Sequence, residues 1–501
     1  MPENLTLLER AEAIRRDSLS GLNAKQQAKL GQFFTPSEAA VLIASMPQLP
    51  NNGALRVLDP GAGSGALTAA LVARLLSEAS AASIHVVVLE TDELVLPALR
   101  ATIRECQEVA AASGVRFTAE VVQGDYLVIA EQLGAGFDLV IMNPPYAKIS
   151  ASSVNRDLML SRGVEAPNLY AAFMSLAVLN LRDGGQLVAI TPRSFANGVY
   201  FEQFRKKFLD VMTMTRIHIF ESRSTVFSDT GVLQENIITL STKLGLPSEV
   251  VLSVSTGHKD EVVTRTVPYS EVLSATDKHR FIRIPSSAND TEVVSRFVSL
   301  PSSLEGLGVR VSTGRVVDFR SRDNLTDEPI ENSFPMVYPA SIKAGAVRHP
   351  VVGAKPQWFH PLHDGELKLL VPTGVFVLVK RFSAKEEKRR LVAGIWSPSA
   401  NRSGPVAFDN KLNFLHIDGA GLDLELASGL SLWLNSTIVD TYFRTFSGHT
   451  QVNATDLRNM RFPNADDLRK LGTLGQIELP DQESIDSMVE SIVFANATVA
   501  A

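Results

Sequence analysis

From Leu55 to Lys243 the chain repeats one local pattern: an apolar run of strand length, a turn, then a longer stretch with helical periodicity. That alternation constrains the fold more than any other feature. Strands joined through helices run parallel, and a parallel sheet must be covered on both faces. "LRVLDPGAGSGALTAALVARLLSEA" opens as a buried strand, turns on glycines and continues as an apolar helix. "SIHVVVLETDELVLPALRATI" repeats the unit, "RFTAEVVQGDYLVI" supplies a third strand and "GFDLVIMNPPY" a fourth. "NLYAAFMSLAVLNLRDGGQLVAITPRSF" reads as a helix, a turn at Gly184-Gly185 and a fifth strand. "TRIHIFES" and "ENIITLSTK" are further strands, the second following a turn at Asp229-Thr230-Gly231. The expected fold is α/β, a mainly parallel sheet wrapped by helices.

Near "TKLGLPSEV" the rhythm changes. "VVLSVSTGHKDEVVTRTV" is a strand-turn-strand signal, and a Ser/Pro-bearing stretch from Ser286 to Ser303 marks a domain boundary. Beyond it strands are shorter and turns more frequent, as in a mixed α+β domain. "FVLVKRF" and "RRLVAGIW" read as paired strands, and "LASGLSLWLNSTIVDTYFRTF" as one helix. A chain of 501 residues is too long for one core, which agrees with more than one domain. The residues after Gln476 read as a peripheral helical tail.

Hydrophobic residues make up 45% and charged residues 20% of the chain, as in a folded, non-membrane protein. No apolar stretch is long enough to cross a bilayer, and "MPENLTLLERAEAIRRDS" lacks a signal-peptide core. The lone Cys106 excludes an internal disulfide and a cysteine-built metal site, and its amphipathic surroundings predict a buried structural thiol. A cytoplasmic protein without a metal is expected. The formal net charge of −6 excludes a wholly basic nucleic-acid binder but leaves local basic faces open.

The chemistry-bearing residues gather at strand ends. In "LDPGAGSG", Gly61, Gly63 and Gly65 let the backbone turn tightly and approach a ligand. No phosphate-gripping loop of the Lys-Ser/Thr type occurs there. Asp59, before the loop, would repel a pyrophosphate and suits a ligand bearing a cationic amino acid. Glu90 ends the second strand at the spacing expected of an acid that grips ribose hydroxyls. Asp125 ends the third and can accept from an adenine amino group, with Tyr126 beside it. A parallel sheet presents its binding crevice at those ends. In "VIMNPPYAKI", Pro144 and Pro145 cannot donate ladder hydrogen bonds. The fourth strand must therefore stop on a rigid corner carrying Asn143 and Tyr146. "GQFFTPSEAAVLIASMP" places a helix start at Thr35-Pro36, with Glu38 in its first turn.

Taken in order, "GQFFTP", the glycine loop, the acid after the second strand, "GDYL" and "NPPY" resemble the gamma-type, TaqI-like adenine-N6 DNA methyltransferases of type II restriction-modification systems. The resemblance implies a Rossmann-like methyltransferase sheet in residues 1–290, a target-recognition domain in 300–475 and a tail in 476–501. "VYPASIKAG", "LWLNSTIVDTYFRTF" and "HTQVNATDLRNMRFP" look like segments of that recognition domain. It implies S-adenosyl-L-methionine as methyl donor, held by Thr35, Asp59, Gly61, Gly63, Glu90, Asp125, Tyr126 and Phe173. Asp59 departs from the glutamate often found there, and Phe173 reads equally as a core residue.

The resemblance further implies that Asn143 and the Pro144 carbonyl accept the amino hydrogens of the target base, and that Tyr146 and Phe319 stack on it. Without the resemblance Phe319 reads as a core residue. Double-stranded DNA is the implied partner, with Arg315, Arg320, Arg322, Lys343, Lys380, Arg381, His449 and Gln451 as candidate contacts. A monomer that works alongside a cognate restriction endonuclease is expected. The NPPY tetrapeptide also occurs in enzymes that methylate protein glutamine. The alternatives are therefore an RNA or protein amino-methyltransferase, cytosine-N4 transfer, or a DNA-binding protein with a dead donor site.

Overall fold

The computed structural model describes residues 6–20, 34–51, 53–150, 152–220, 235–257, 260–275, 277–351, 355–383, 387–398, 404–447, 450–475 and 477–495. The chain divides into two compact units, Met1–Ser286 and Ser287–Ala501.

The first unit is built on a nine-stranded sheet. Its strands are β1 (Gly53–Pro60), β2 (Ala81–Glu90), β3 (Arg116–Gln123), β4 (Phe137–Met142), β5 (Leu181–Pro192), β6 (Met212–Phe220), β7 (Asn236–Lys243), β8 (Glu249–Ser255) and β9 (Val263–Pro268). They lie in the order β3-β2-β1-β4-β5-β7-β6-β8-β9. The pairs among β1 to β5 are parallel, whereas β7 is antiparallel to both of its neighbours. The sheet is Rossmann-like.

Adjacent side chains of one strand point to opposite faces, and here both faces are buried. Leu58, Val87, Val140 and Met142 pack into one core with the helices Leu169–Asn180 and Glu202–Val211. Val57, Val86, Leu139 and Ile141 pack into the other, against helices Ser37–Ala44, Ala66–Ser77 and Leu96–Ala112. Cys106 sits fully buried in that second core, where burial pushes its thiol up to about 12.

Two local expectations are corrected. "GDYLVI" does not prolong β3: the Asp125 side chain accepts from the Leu127 amide and caps a helical turn, Tyr126–Ile129. The Gly184-Gly185 pair does not separate a helix from a strand. It is an irregularity inside β5, where Gly184 takes a φ of +73°. The expected turn at Asp229-Thr230-Gly231 lies outside the described residues.

The second unit holds a six-stranded and a five-stranded sheet. Strand Phe376–Lys380 runs antiparallel to Ala393–Trp396. Phe376, Phe408 and Phe414 pack edge-on or tilted at 5.3 to 6.0 Å between ring centroids. The expected single helix over "LASGLSLWLNSTIVDTYFRTF" is two, Leu424–Leu434 and Thr437–Phe446. The first helix ends at Asn435, whose side-chain amide bonds both the N–H and the C=O of Ala393, and Ser436 takes extended backbone ahead of the second helix. Helix Leu424–Leu434 crosses helix Ala465–Leu474 backbone to backbone. A Cβ on Gly429 would stand 1.8 Å from the Leu468 carbonyl oxygen, and one on Gly472 would stand 1.9 Å from that of Glu425. Helix Gln482–Val493 packs into the same unit through buried Ile485 and Val489.

Candidate active site

Strand order reverses between β1 and β4, and open α/β sheets bind ligands outside the carboxyl ends of the strands at such a point. A cavity of about 620 Å³ opens there, within the range of about 300–1,000 Å³ usual for small-molecule sites. Thr35, Gly61, Gly63, Glu90, Asp125, Asn143 and Phe173 all line it. They come from six separate segments: four lie at or just past the ends of β1 to β4, which meet at one edge of the sheet, while Thr35 precedes helix Ser37–Ala44 and Phe173 lies in helix Leu169–Asn180.

The glycine loop turns through left-handed backbone at Gly61 and Gly63, with φ of +75° and +56°. A Cβ on Gly63 would press on the Phe34 ring at 3.2 Å, and one on Gly61 would meet Phe173 at 3.5 Å. Both rings are cavity walls, so the missing side chains leave the space open. Glu90 braces the loop. Its Oε2 accepts from the Gly63 amide at 2.9 Å, and its Oε1 accepts from the Thr91 and Asp92 amides, each at 2.8 Å. Burial raises the Glu90 carboxyl above its ordinary value, and the three backbone amides oppose that shift.

Among the described residues, four acids line the cavity, Glu90, Asp92, Glu93 and Asp125, and no lysine or arginine does. Such a lining opposes a pyrophosphate and favours a ligand with positive charge and hydroxyl groups. S-adenosylmethionine, a sulfonium carrying a ribose diol, fits that donor set and the glycine cradle.

Four candidates do not line the cavity: Asp59, Tyr126, Pro144 and Tyr146. Asp59 is fully buried, accepts from the Thr68 hydroxyl at 2.7 Å and does not line the cavity. Burial, with the nearby Glu90 charge adding to it, pushes its carboxyl up to about 7. The expected charge selection therefore falls to the lining acids. Tyr126 is buried, donates to Asn180 Oδ1 at 2.7 Å, and supports the wall residue Phe173 with rings 5.0 Å apart. Pro144 is buried too, while Pro145 takes the place in the wall.

At the end of β4, Asn143 is held from both ends of its amide. Its Nδ2 donates to Thr35 Oγ1 at 3.0 Å, and its Oδ1 accepts from the Tyr146 hydroxyl at 3.2 Å. Tyr146 is half-buried, with its ring edge-on to Tyr170 at 6.2 Å. Residues of the lining that motif reading missed include Phe34, Asp92, Leu127 and Asn155. The "ETDEL" acids beyond β2 were a usable signal for Asp92, whereas nothing local marks Asn155.

The second-unit candidates divide. Phe319 is 61% exposed on a short 3-10 turn, with the Arg320 guanidinium 5.5 Å from its ring, so it is no core residue. Arg315, Arg320, Arg322 and Lys343 are exposed. Arg315 donates to the Lys368 and Leu370 carbonyls, and Arg381 to that of Asn410. Lys380 ends its strand half-buried. Gln451 forms a backbone bridge to Phe382, itself exposed, and His449 lies outside the described residues.

Comparison with known proteins agrees with this geometry. Residues 102–227 match the family model "Eco57I restriction-modification methylase". The chain is 38% identical over 497 residues to the type II methyltransferase M.PstI of Providencia stuartii, covering 98% of this chain and 97% of that protein. It is 40% identical over 484 residues to the type II methyltransferase M.BsuBI of Bacillus subtilis, covering 94% and 95%. The type IIL restriction-modification enzyme MmeI, solved in complex with DNA, shares the fold at 13% identity and a TM-score of 0.53, over 97% of this chain and 75% of MmeI. The chain belongs to the type II restriction-modification DNA methyltransferases.

Proposed function

We propose that this methyltransferase moves a methyl group from S-adenosylmethionine to N6 of an adenine flipped out of duplex DNA, protecting host DNA from a cognate endonuclease. The observation that carries the reading is Asn143. It stands at the end of β4 on the wall of a cavity whose other walls are the glycine loop and the acids after β2 and β3. Bound in that cavity, S-adenosylmethionine supplies an electrophilic methyl group on a sulfonium.

The chain's own residues do the rest. Glu90 and Asp125 accept from donor hydroxyl and amino groups, and Phe173 offers an apolar wall. An adenine amino nitrogen is a poor nucleophile because its lone pair is delocalised into the ring. Two acceptors, the Asn143 side-chain oxygen and the Pro144 carbonyl, receive hydrogen bonds from its two hydrogens and localise the lone pair on nitrogen; once the nitrogen carries the methyl group, one of those hydrogens leaves as a proton to solvent. The proline pair fixes both acceptors before the reaction, so no reorganisation is needed during it. Tyr146 offers a stacking face for the extruded base, because a base inside a duplex is out of reach. The unit Ser287–Ala501 reads the DNA site, with Phe319 and the exposed Arg320, Arg322 and Lys343 as its contacts.

The test is nucleoside mass spectrometry on duplex DNA incubated with the protein and isotope-labelled donor. Labelled N6-methyladenine is expected. Labelled N4-methylcytosine, or label only in RNA or protein substrates, overturns the proposal.

A further inference from the structure

An asparagine that must present an oxygen to its substrate carries a liability. Its amide has a donor end of nearly the same size, and half a turn about the terminal side-chain bond exchanges the two. In this protein the nitrogen end of Asn143 is bonded by a residue 108 positions earlier, Thr35, whose Oγ1 accepts from Nδ2 at 3.0 Å. The oxygen end accepts from the hydroxyl of Tyr146, the residue assigned to the base, at 3.2 Å. Thr35 is itself buried, 6% exposed, just ahead of helix Ser37–Ala44. That segment is well anchored: the Ser37 amide and hydroxyl reach the Glu12 carboxylate at 3.3 and 3.2 Å.

We infer that Thr35 is a positioning residue for methyl transfer, holding the Asn143 amide with its oxygen toward the target base. This rests on the function proposed above. Two physical effects follow from the one bond. The amide is fixed in rotation, so the acceptor is aligned before the base arrives. Donation from Nδ2 also polarises the amide and makes its oxygen a stronger acceptor. Because Thr35 also lines the donor cavity, the hydroxyl sits where the donor site and the base acceptor meet.

Thr35→Val removes the hydroxyl at constant shape, and Thr35→Ser keeps it. Single-turnover methyl transfer is expected to fall by roughly 10- to 100-fold in Thr35→Val, with Thr35→Ser within about 3-fold of wild type. Calorimetric affinity for S-adenosylhomocysteine should stay within about 3-fold in both variants. The ¹⁵N resonance of the Asn143 side-chain amide should move in Thr35→Val and not in Thr35→Ser. If Thr35→Val does not fold, Thr35→Ala carries the same comparison.

Wild-type turnover in the hydroxyl-free variant overturns the inference. So does a rate loss matched by an equal loss of S-adenosylhomocysteine affinity, which makes Thr35 a donor ligand only, or an equal loss in Thr35→Ser. A wild-type protein that forms no N6-methyladenine sinks the parent reading instead, while the resonance shift still reports on the Thr35–Asn143 bond.

Discussion

Glu90 Oε2 accepts the Gly63 amide hydrogen at 2.9 Å, tying the end of β2 to the crest of the glycine loop. The same carboxylate also holds the Thr91 and Asp92 amides, so one side chain shapes two walls of the donor cavity. A glutamine in its place keeps the size, but its NH₂ end faces amides that need an acceptor. Glu90→Gln is therefore expected to weaken S-adenosylhomocysteine binding by about 10- to 100-fold, at about 1–3 kcal/mol for a buried amide left without its acceptor. Titration calorimetry measures it, and unchanged affinity would remove Glu90 from the donor site.

The pH dependence of stability should carry a signature of Asp59. Its folded carboxyl is raised to about 7 from the ordinary 3.8, with burial as the main cause. A raised carboxyl keeps its proton in the folded protein where the unfolded chain has lost it. The resulting stability is fully present below the unfolded value and disappears as pH rises through about 7. Asp59→Asn mimics the protonated acid and escapes that loss. Against wild type it should gain on the order of 2–4 kcal/mol between about pH 4 and pH 8. Denaturant unfolding at the two pH values checks this; a pH-independent difference would show that Asp59 is ionised throughout.

Much of the first unit was legible because a parallel sheet buried on both faces leaves unbroken apolar runs, and because its ligands must meet the strand ends. Glu90, Asp125 and Asn143 are found together for that reason. Which acid faces the cavity was not legible: Asp59 is fully buried and bonded by Thr68 from the following helix, whereas Glu90 is held by three backbone amides in the cavity wall. The insertion of β7 between β5 and β6 likewise depends on pairing between distant segments. In the second unit the strands are two to five residues long, too short for a periodic pattern. There an arginine's sequence neighbours do not reveal a bond such as the one that exposed Arg315 donates to a carbonyl more than fifty residues away.

Exposure separates the two readings of Phe319. A buried phenylalanine costs about 3–5 kcal/mol on truncation, whereas a side chain 61% exposed costs less than about 0.5 kcal/mol. Phe319→Ala should therefore unfold with wild-type stability. If the ring stacks on a base, DNA affinity should drop by roughly 10-fold and 2-aminopurine at the target position should fluoresce less on binding. Normal stability with normal affinity and fluorescence would leave Phe319 no part in base handling.

Asn435 offers the sharpest test of why the second unit folds as it does. Its Oδ1 accepts from the Ala393 amide at 3.2 Å, while its Nδ2 donates to the Ala393 carbonyl at 3.1 Å and to that of Ser431 at 2.8 Å. One side chain thus does for Ala393 what a neighbouring strand would do, and the helix that carries it ends there. The residue is 4% exposed, so water cannot readily replace it. Asn435→Ala strands a buried N–H and a buried C=O at about 1–3 kcal/mol each, a loss of roughly 2–4 kcal/mol after relaxation. Asn435→Asp keeps the acceptor for the amide but places a charge beside the Ala393 carbonyl, and should destabilise at least as much. Denaturant unfolding of both variants measures the cost. A loss below about 0.5 kcal/mol, the level of a surface substitution, would mean that this amide does not hold the helix end to Ala393.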